Sequence, residues 1–178
     1  MGAIKTVADS QGWFVVLTTV PANLDAIKVS DLTGVGCING GALAAANGTR
    51  FGFTASDSVA DPAYSDASNA QTRGRSNYEG SIAPFVKVDE ATGAFSAADN
   101  ALITLLNGAI ESGAEICVVS GITGDPHGTR AAGDLYDAFT YTVDNSSTPA
   151  EVGGYLKRTY PLLSAGKSAH MKPLAAAA

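Results

Sequence analysis

The sequence predicts a mainly β, α+β fold: an antiparallel β-sandwich or barrel carrying one helix. Two observations predict it. Short runs rich in β-branched and aromatic residues recur along the chain, divided by Gly, Pro, Asn and Asp. Only one stretch, about 96–112, repeats apolar residues at helical spacing, with Leu102, Leu105, Leu106, Ala109 and Ile110 on one stripe. Strands thus follow strands instead of alternating with helices, the pattern of an antiparallel sheet. At 178 residues the chain has the size of one domain, 1–178.

Taken in order, residues 13–20 begin with Trp13-Phe-Val-Val-Leu and form a strand ended by Pro21. Residues 26–32 are a weaker strand candidate, and 34–41, with four glycines, read as turn. Ala42 to Ala46 can make one helical turn before Gly48 stops it, and 50–54 is a short strand. A long loop or arm, 40–76, encloses these last pieces; from Thr49 onward it loses periodicity and holds mostly Ser, Asp, Ala, Asn and Gly. So long a stretch inside a compact domain signals either disorder or a functional arm.

Residues 77–89 alternate, with Ile82, Pro84, Val86 and Val88 on one side and Phe85 and Lys87 on the other. The helix follows. Ser96 and Asp99 form a variant capping box at its start, and Gly113 stands where a left-handed residue ends a helix. The run 114–122 is a strand centred on Ile116 to Val119. In 137–143, Phe139, Tyr141 and Val143 alternate with the small and polar Ala138, Thr140 and Thr142. Residues 155–163 alternate again, and 164–178 form a C-terminal arm that is small and weakly basic. The expected total is about six or seven strands with the helix after the fourth or fifth.

Bulk composition narrows function. Charged residues make up 16% of the chain, below the ~25% of an average domain, so part of the surface is expected to meet protein instead of water. A net charge of −6 and a pI near 4.7 argue against a nucleic-acid binder. Cys37 and Cys117 read as ordinary buried thiols of a reducing compartment. No signal peptide is expected, because Lys5 and Asp9 interrupt the start, and no apolar run approaches the ~20 residues of a membrane helix. Met1-Gly2 with Thr6 fits a myristoylation pattern that is short enough to occur by chance.

Chemical motifs are sparse. Gly34-Val-Gly36-Cys-Ile-Asn-Gly40 resembles a phosphate-cradling loop but lacks the full helix and the acid-ending strand of a dinucleotide site. Asp125 and His127 could bind a metal or exchange a proton, yet the other histidine, His170, lies far away in sequence. No nucleophile elbow appears. Arg73 and Arg75 are either partners for carboxylates of another copy or solvated. No catalytic, cofactor or metal residue is assigned, and no cofactor is expected.

The segment Gln71-Thr-Arg-Gly-Arg-Ser-Asn-Tyr-Glu-Gly-Ser-Ile-Ala-Pro-Phe85 resembles the tail tube, or major tail, proteins of long-tailed bacteriophages. Tyr78-Glu-Gly-Ser-Ile82, the acidic turn at Asp89 and Glu90 and the single helix come in the order that family shows. The four terminal alanines match none of its features. The resemblance implies a β-sandwich or half-barrel flanked by one helix, related in fold to type VI secretion tubes. It implies hexameric rings stacked into a hollow tube whose lumen passes DNA into the host. Partners would be the chain itself, the tape-measure protein and the tail terminator and initiator proteins. DNA would pass without specific binding, no membrane would be involved, and assembly would take place in the host cytoplasm. Candidate contacts between copies are Tyr64, Arg73, Arg75, Lys167 and Lys172; Ala138, Thr140 and Thr142 are candidates for the lumen wall. Six copies multiply the −6 charge, which would keep DNA off the wall. The alternatives are another virion component, such as a capsid decoration or head–tail completion protein, and a small hydrolase or binding protein using Asp125 and His127.

Overall fold

The computed structural model describes residues 12–55, 77–123, 129–148 and 155–177, together with the backbone of 58–59 and 72–73. Nine strands and one α-helix are present among them: β1 (Trp13–Leu17), β2 (Cys37–Asn39), β3 (Arg50–Phe53), β4 (Ser58–Val59), β5 (Thr72–Arg73), β6 (Tyr78–Ile82), α1 (Ala101–Ser112), β7 (Glu115–Gly121), β8 (Leu135–Val143) and β9 (Tyr160–Pro173). Seven strands form one sheet in the order β2-β1-β7-β8-β9-β6-β3, and β4 pairs with β5 apart from it. Every neighbouring pair is antiparallel. The mainly β fold with one helix expected from the pattern is the fold observed.

The sheet rolls up. Phe14 of β1 and Phe51 of β3, from opposite ends of the strand order, bring their rings to 5.1 Å between centroids. Beyond β2 and β6 the chain closes the curl: Ala45 N–H donates to Ala83 O at 2.8 Å and Phe85 N–H to Leu43 O at 2.9 Å. Inside the curl lies one core, where Val16, Ile116, Val118, Phe139, Tyr141, Tyr160 and Leu162 meet Leu102, Ile103, Leu106 and Ala109 of α1. The helix thus fills the half-barrel as the amphipathic stripe required.

The α-helix begins later than the capping pattern predicts. Ser96 does cap a turn, its Oγ accepting Asp99 N–H at 3.4 Å. Asn100 is then held by the preceding strand segment: its Oδ1 accepts Lys87 N–H at 2.7 Å, and its Nδ2 donates to the oxygens of Lys87 and Ser96, both at 2.8 Å. Regular α-geometry starts after this clamp, at Ala101. Gly113 ends the helix with φ 66°, the left-handed conformation expected of it.

The sheet's other face has its own core. Trp13, Val15, Leu17, Cys117, Val119, Tyr136 and Ala138 pack under Leu24, Ile27, Leu32 and Leu174. Two sequence expectations change here. Residues 26–32, expected as a strand, form two 3-10 turns, Leu24–Ala26 and Val29–Leu32. Asn23 Oδ1 accepts Asp25 N–H and Asp31 Oδ2 accepts Lys28 N–H, and these side-chain bonds favour turns over a ladder. The glycine-rich stretch 34–41, expected as turn, contains β2 because β1 offers its open edge there.

The third change is the largest. The expected C-terminal arm, 164–178, is a strand as far as Pro173 and continues as a stitch. β9 pairs with β8 along its length, and Ala175 N–H then donates to Ile27 O at 2.9 Å. Small residues gave no apolar alternation to announce it; the ladder offered by β8 supplies the strand.

Candidate assembly surfaces

Four surface features arise from this frame. First, β2 and β3 end the sheet, so each carries one edge without a sheet neighbour among the described residues. Such edges template pairing with another chain.

Second, β8 and β9 separate at a bulge. Ala138 faces Ala169 and Phe139 faces Ser168, but Tyr141 faces Ser164, leaving extra residues on β9 around Gly166. Gly166 has φ 94°, a conformation that favours glycine. The Tyr78 hydroxyl fills the bulge. It accepts Gly166 N–H at 2.8 Å and lies 2.8 Å from Thr140 O and 2.9 Å from Lys167 O. Burial raises the neighbouring Tyr141 hydroxyl well above its ordinary pKa.

Third, residues 88–95 form a hairpin leading into α1. Val88 and Phe95 pair across its base. Asp89 Oδ1 accepts the Thr92 hydroxyl at 2.7 Å, Thr92 N–H at 2.8 Å and Ala91 N–H at 3.1 Å, and these bonds hold its carboxyl below the usual range. Val88 and Phe95 remain half exposed, as does Leu156, whose backbone oxygen accepts Val86 N–H.

Fourth, an apolar groove of about 570 Å³ runs along α1 between the helix and β2, and Glu115 is the one charged residue lining it among the described residues.

The residues singled out from sequence fall unevenly on this frame. Tyr64, Arg75, Asp125 and His127 lie outside the described residues, and of Arg73 only the backbone is described, in β5. Lys167 is exposed beside the bulge, its backbone N–H donating to Thr140 Oγ1 at 3.1 Å. Lys172, expected to reach another copy, pairs within its own chain with Asp25 at 3.2 Å. The expected lumen row is largely internal: Ala138 and Thr140 are fully buried, because both faces of β8 are covered, and only Thr142 keeps partial exposure. Cys37 is partly exposed, against expectation, because its strand ends the sheet. Cys117 is buried, and burial pushes its thiol up to about 12. The Asn100 clamp and the Tyr78 plug were not visible in sequence, since neither residue type nor spacing marks a polar group bound for long-range backbone partners.

Among the described residues no three His, Cys, Asp or Glu side chains gather as a metal site. No described helix is long and apolar enough to cross a membrane. What the surface does offer is open sheet ends and exposed apolar side chains, the features of a chain that joins others.

Comparison with known proteins decides which assembly. The description "phage tail tube protein" fits residues 1–177, nearly the whole chain. The chain belongs to the phage tail tube protein family. It is a structural component of the virion tail and assembles with copies of itself into a tube. No curated protein matches it. Among solved structures the SPP1 tail tube, determined by solid-state NMR and electron cryomicroscopy, superposes with a TM-score of 0.55 at 9% identity, covering 96% of this chain and 81% of that one. At that identity the likeness speaks to fold, and the fold is that of a tail tube subunit.

Proposed function

We propose that this tail tube subunit forms hexameric rings that stack into a hollow tube, through which the tape-measure protein is first accommodated and DNA later passes into the host. The carrying observation is the curled sheet with β2 and β3 left open at its two ends, in a chain of a tube-forming family. Joining β2 of one copy to β3 of the next is a heterologous contact that closes into a ring and removes both liabilities. Thr142 would face the channel, and Tyr64, Arg73, Arg75 and Lys167 would serve contacts between copies. The chain's net charge of −6 favours passage of DNA without adhesion. No catalytic step is assigned. Terminator and initiator proteins would bound the tube, and assembly would occur in the host bacterial cytoplasm, away from membrane.

Negative-stain microscopy of purified protein tests this, with end-on views averaged for rotational symmetry. Stacked rings with sixfold symmetry are expected. Another symmetry would overturn the hexamer, and a monomer that persists at high concentration even with its initiator would overturn the tube.

A further inference from the structure

We propose that the groove along α1 is a socket for the 88–95 hairpin of a second copy of this chain, seating Val88 and Phe95 between α1 and β2 of the neighbour. This rests on the tube reading above and adds to it a contact other than sheet-edge pairing.

The socket is a built feature. Ala101, Leu105 and Gly108 of α1 face Cys37 and Ile38 of β2 across it, with Ile116 also in its lining. Gly108 is the informative residue. It stands inside a twelve-residue helix, where glycine is the poorest choice after proline. A Cβ built there meets no atom of the described residues within 4 Å, so nothing in their packing excludes a side chain. What the missing side chain does is keep the groove open.

The hairpin is its counterpart. Val88 and Phe95 are each 52% exposed and are paired across one bridge. Val86 N–H donates to Leu156 O at 2.8 Å, which ties the strand leading into the hairpin to the chain around Leu156. Val88 and Phe95 make an apolar knob on a rigid base: the Asp89 turn fixes its tip and the Asn100 clamp fixes its root to α1. Knob and socket are distinct sets of residues, although Ala97 of the groove stands two residues from Phe95, and in a ring-forming chain the knob of one copy entering the socket of the next gives the head-to-tail contact a tube uses. The groove shares Cys37 and Ile38 with an open end of the sheet, so it lies where a neighbour's chain approaches. A knob seated there would cover both apolar surfaces at once.

The test uses the full chain. Gly108→Ala should melt about 2–4 °C higher, from helix propensity alone, and still form tubes. Gly108→Leu should also melt no lower than the natural protein, yet fill the groove and reduce sedimentable tube at least tenfold. Stability and assembly then move in opposite directions, which misfolding cannot mimic. In Val88→Cys tubes, oxidation should link the new thiol to Cys37 of the adjacent copy and give a ladder on non-reducing gels. Cys117 is fully buried and cannot substitute, and adding Cys37→Ser should abolish the ladder. Gly108→Leu tubes indistinguishable from those of the natural protein, with no Val88→Cys ladder, would overturn this contact while leaving the tube intact. Absence of tubes from the natural protein would instead sink the tube reading itself.

Discussion

The two faces of the sheet are buried by unlike covers. Inside the curl, one regular element does the covering: α1 lays Leu102, Ile103, Leu106 and Ala109 onto β1, β7 and β8. On the opposite face, two 3-10 turns and the chain end share the work, with Leu24, Ile27, Leu32 and Leu174 contributed singly. The helix satisfies its own backbone, so apart from the Asn100 clamp and the Tyr160 hydroxyl, which donates to Asn107 Oδ1 at 2.9 Å, it needs only apolar packing. The irregular cover has no ladder or helical repeat, so its backbone groups must be met one at a time. Tyr136 shows how: its hydroxyl accepts Ile27 N–H at 3.1 Å and donates to Leu24 O at 2.7 Å, while Ala175 bridges to Ile27 and Val29. The helical cover is held chiefly by hydrophobic area, while the irregular cover depends on hydrogen bonds to its own backbone as well.

That contrast can be broken first at the helix. Leu106 is fully buried at the centre of α1. Leu106→Ala removes its contacts and leaves a cavity, an expected loss of about 2–5 kcal/mol, read by denaturant titration of the unassembled subunit. A loss under ~1 kcal/mol would mean that the helix is a loosely attached cover and that the half-barrel stands without it.

The irregular face should respond to a change that alters almost no apolar area. Tyr136→Phe keeps the ring but strands Ile27 N–H and Leu24 O, at an expected loss of about 1–3 kcal/mol. Burial and the nearby acidic groups raise the Tyr136 hydroxyl above its ordinary pKa, so it stays protonated and donating throughout neutral pH. Hydrogen exchange should localise the damage, with the amides of Ile27 and Val29 losing protection while those of α1 keep theirs. Equal loss on both faces would erase the distinction between them.

The same contrast governs what was legible in sequence. The helix announced itself, because a 3.6-residue period is a property of the chain alone; Leu106 and Ala109 fell where the stripe placed them, and Gly113 ended it. Its start did not, because Asn100 answers to Lys87, a partner outside the helix. Residues 26–32 carry Ile27, Val29 and Leu32, apolar enough to pass for a strand, yet those side chains point into a cover fixed by Asn23, Asp31 and Tyr136. β9 was hidden for the opposite reason. Ser164 to Ser168 have no strand pattern, and β8 recruits them through backbone pairing that local propensity does not register. The small, polar row at Ala138 and Thr140 looked like a channel wall because alternation shows that two faces differ but not what covers each. The groove had one signal in the sequence, a glycine at position 108 amid good helix formers, which reads as a defect until β2 stands opposite it.

The smallest effect should come at the rim of the irregular face, where Lys172 Nζ meets Asp25 Oδ1 at 3.2 Å. The pair ties β9 to the first 3-10 turn, next to the Tyr136 bonds, so its position invites a structural role. Both side chains are substantially exposed, however, at 40% and 61%, and water screens such a pair. Lys172→Met keeps most of the stem and removes the charge; the expected loss is about 0–1 kcal/mol and should vanish at molar salt. Measuring Tyr136→Phe, Lys172→Met and the double variant in one cycle separates the two ties. Additive losses would show that the cover is held by the buried hydroxyl, with the ion pair a minor addition. A coupling above ~1 kcal/mol would show instead that the exposed pair orders the turn that the hydroxyl then binds, making the rim the place where this face begins to open.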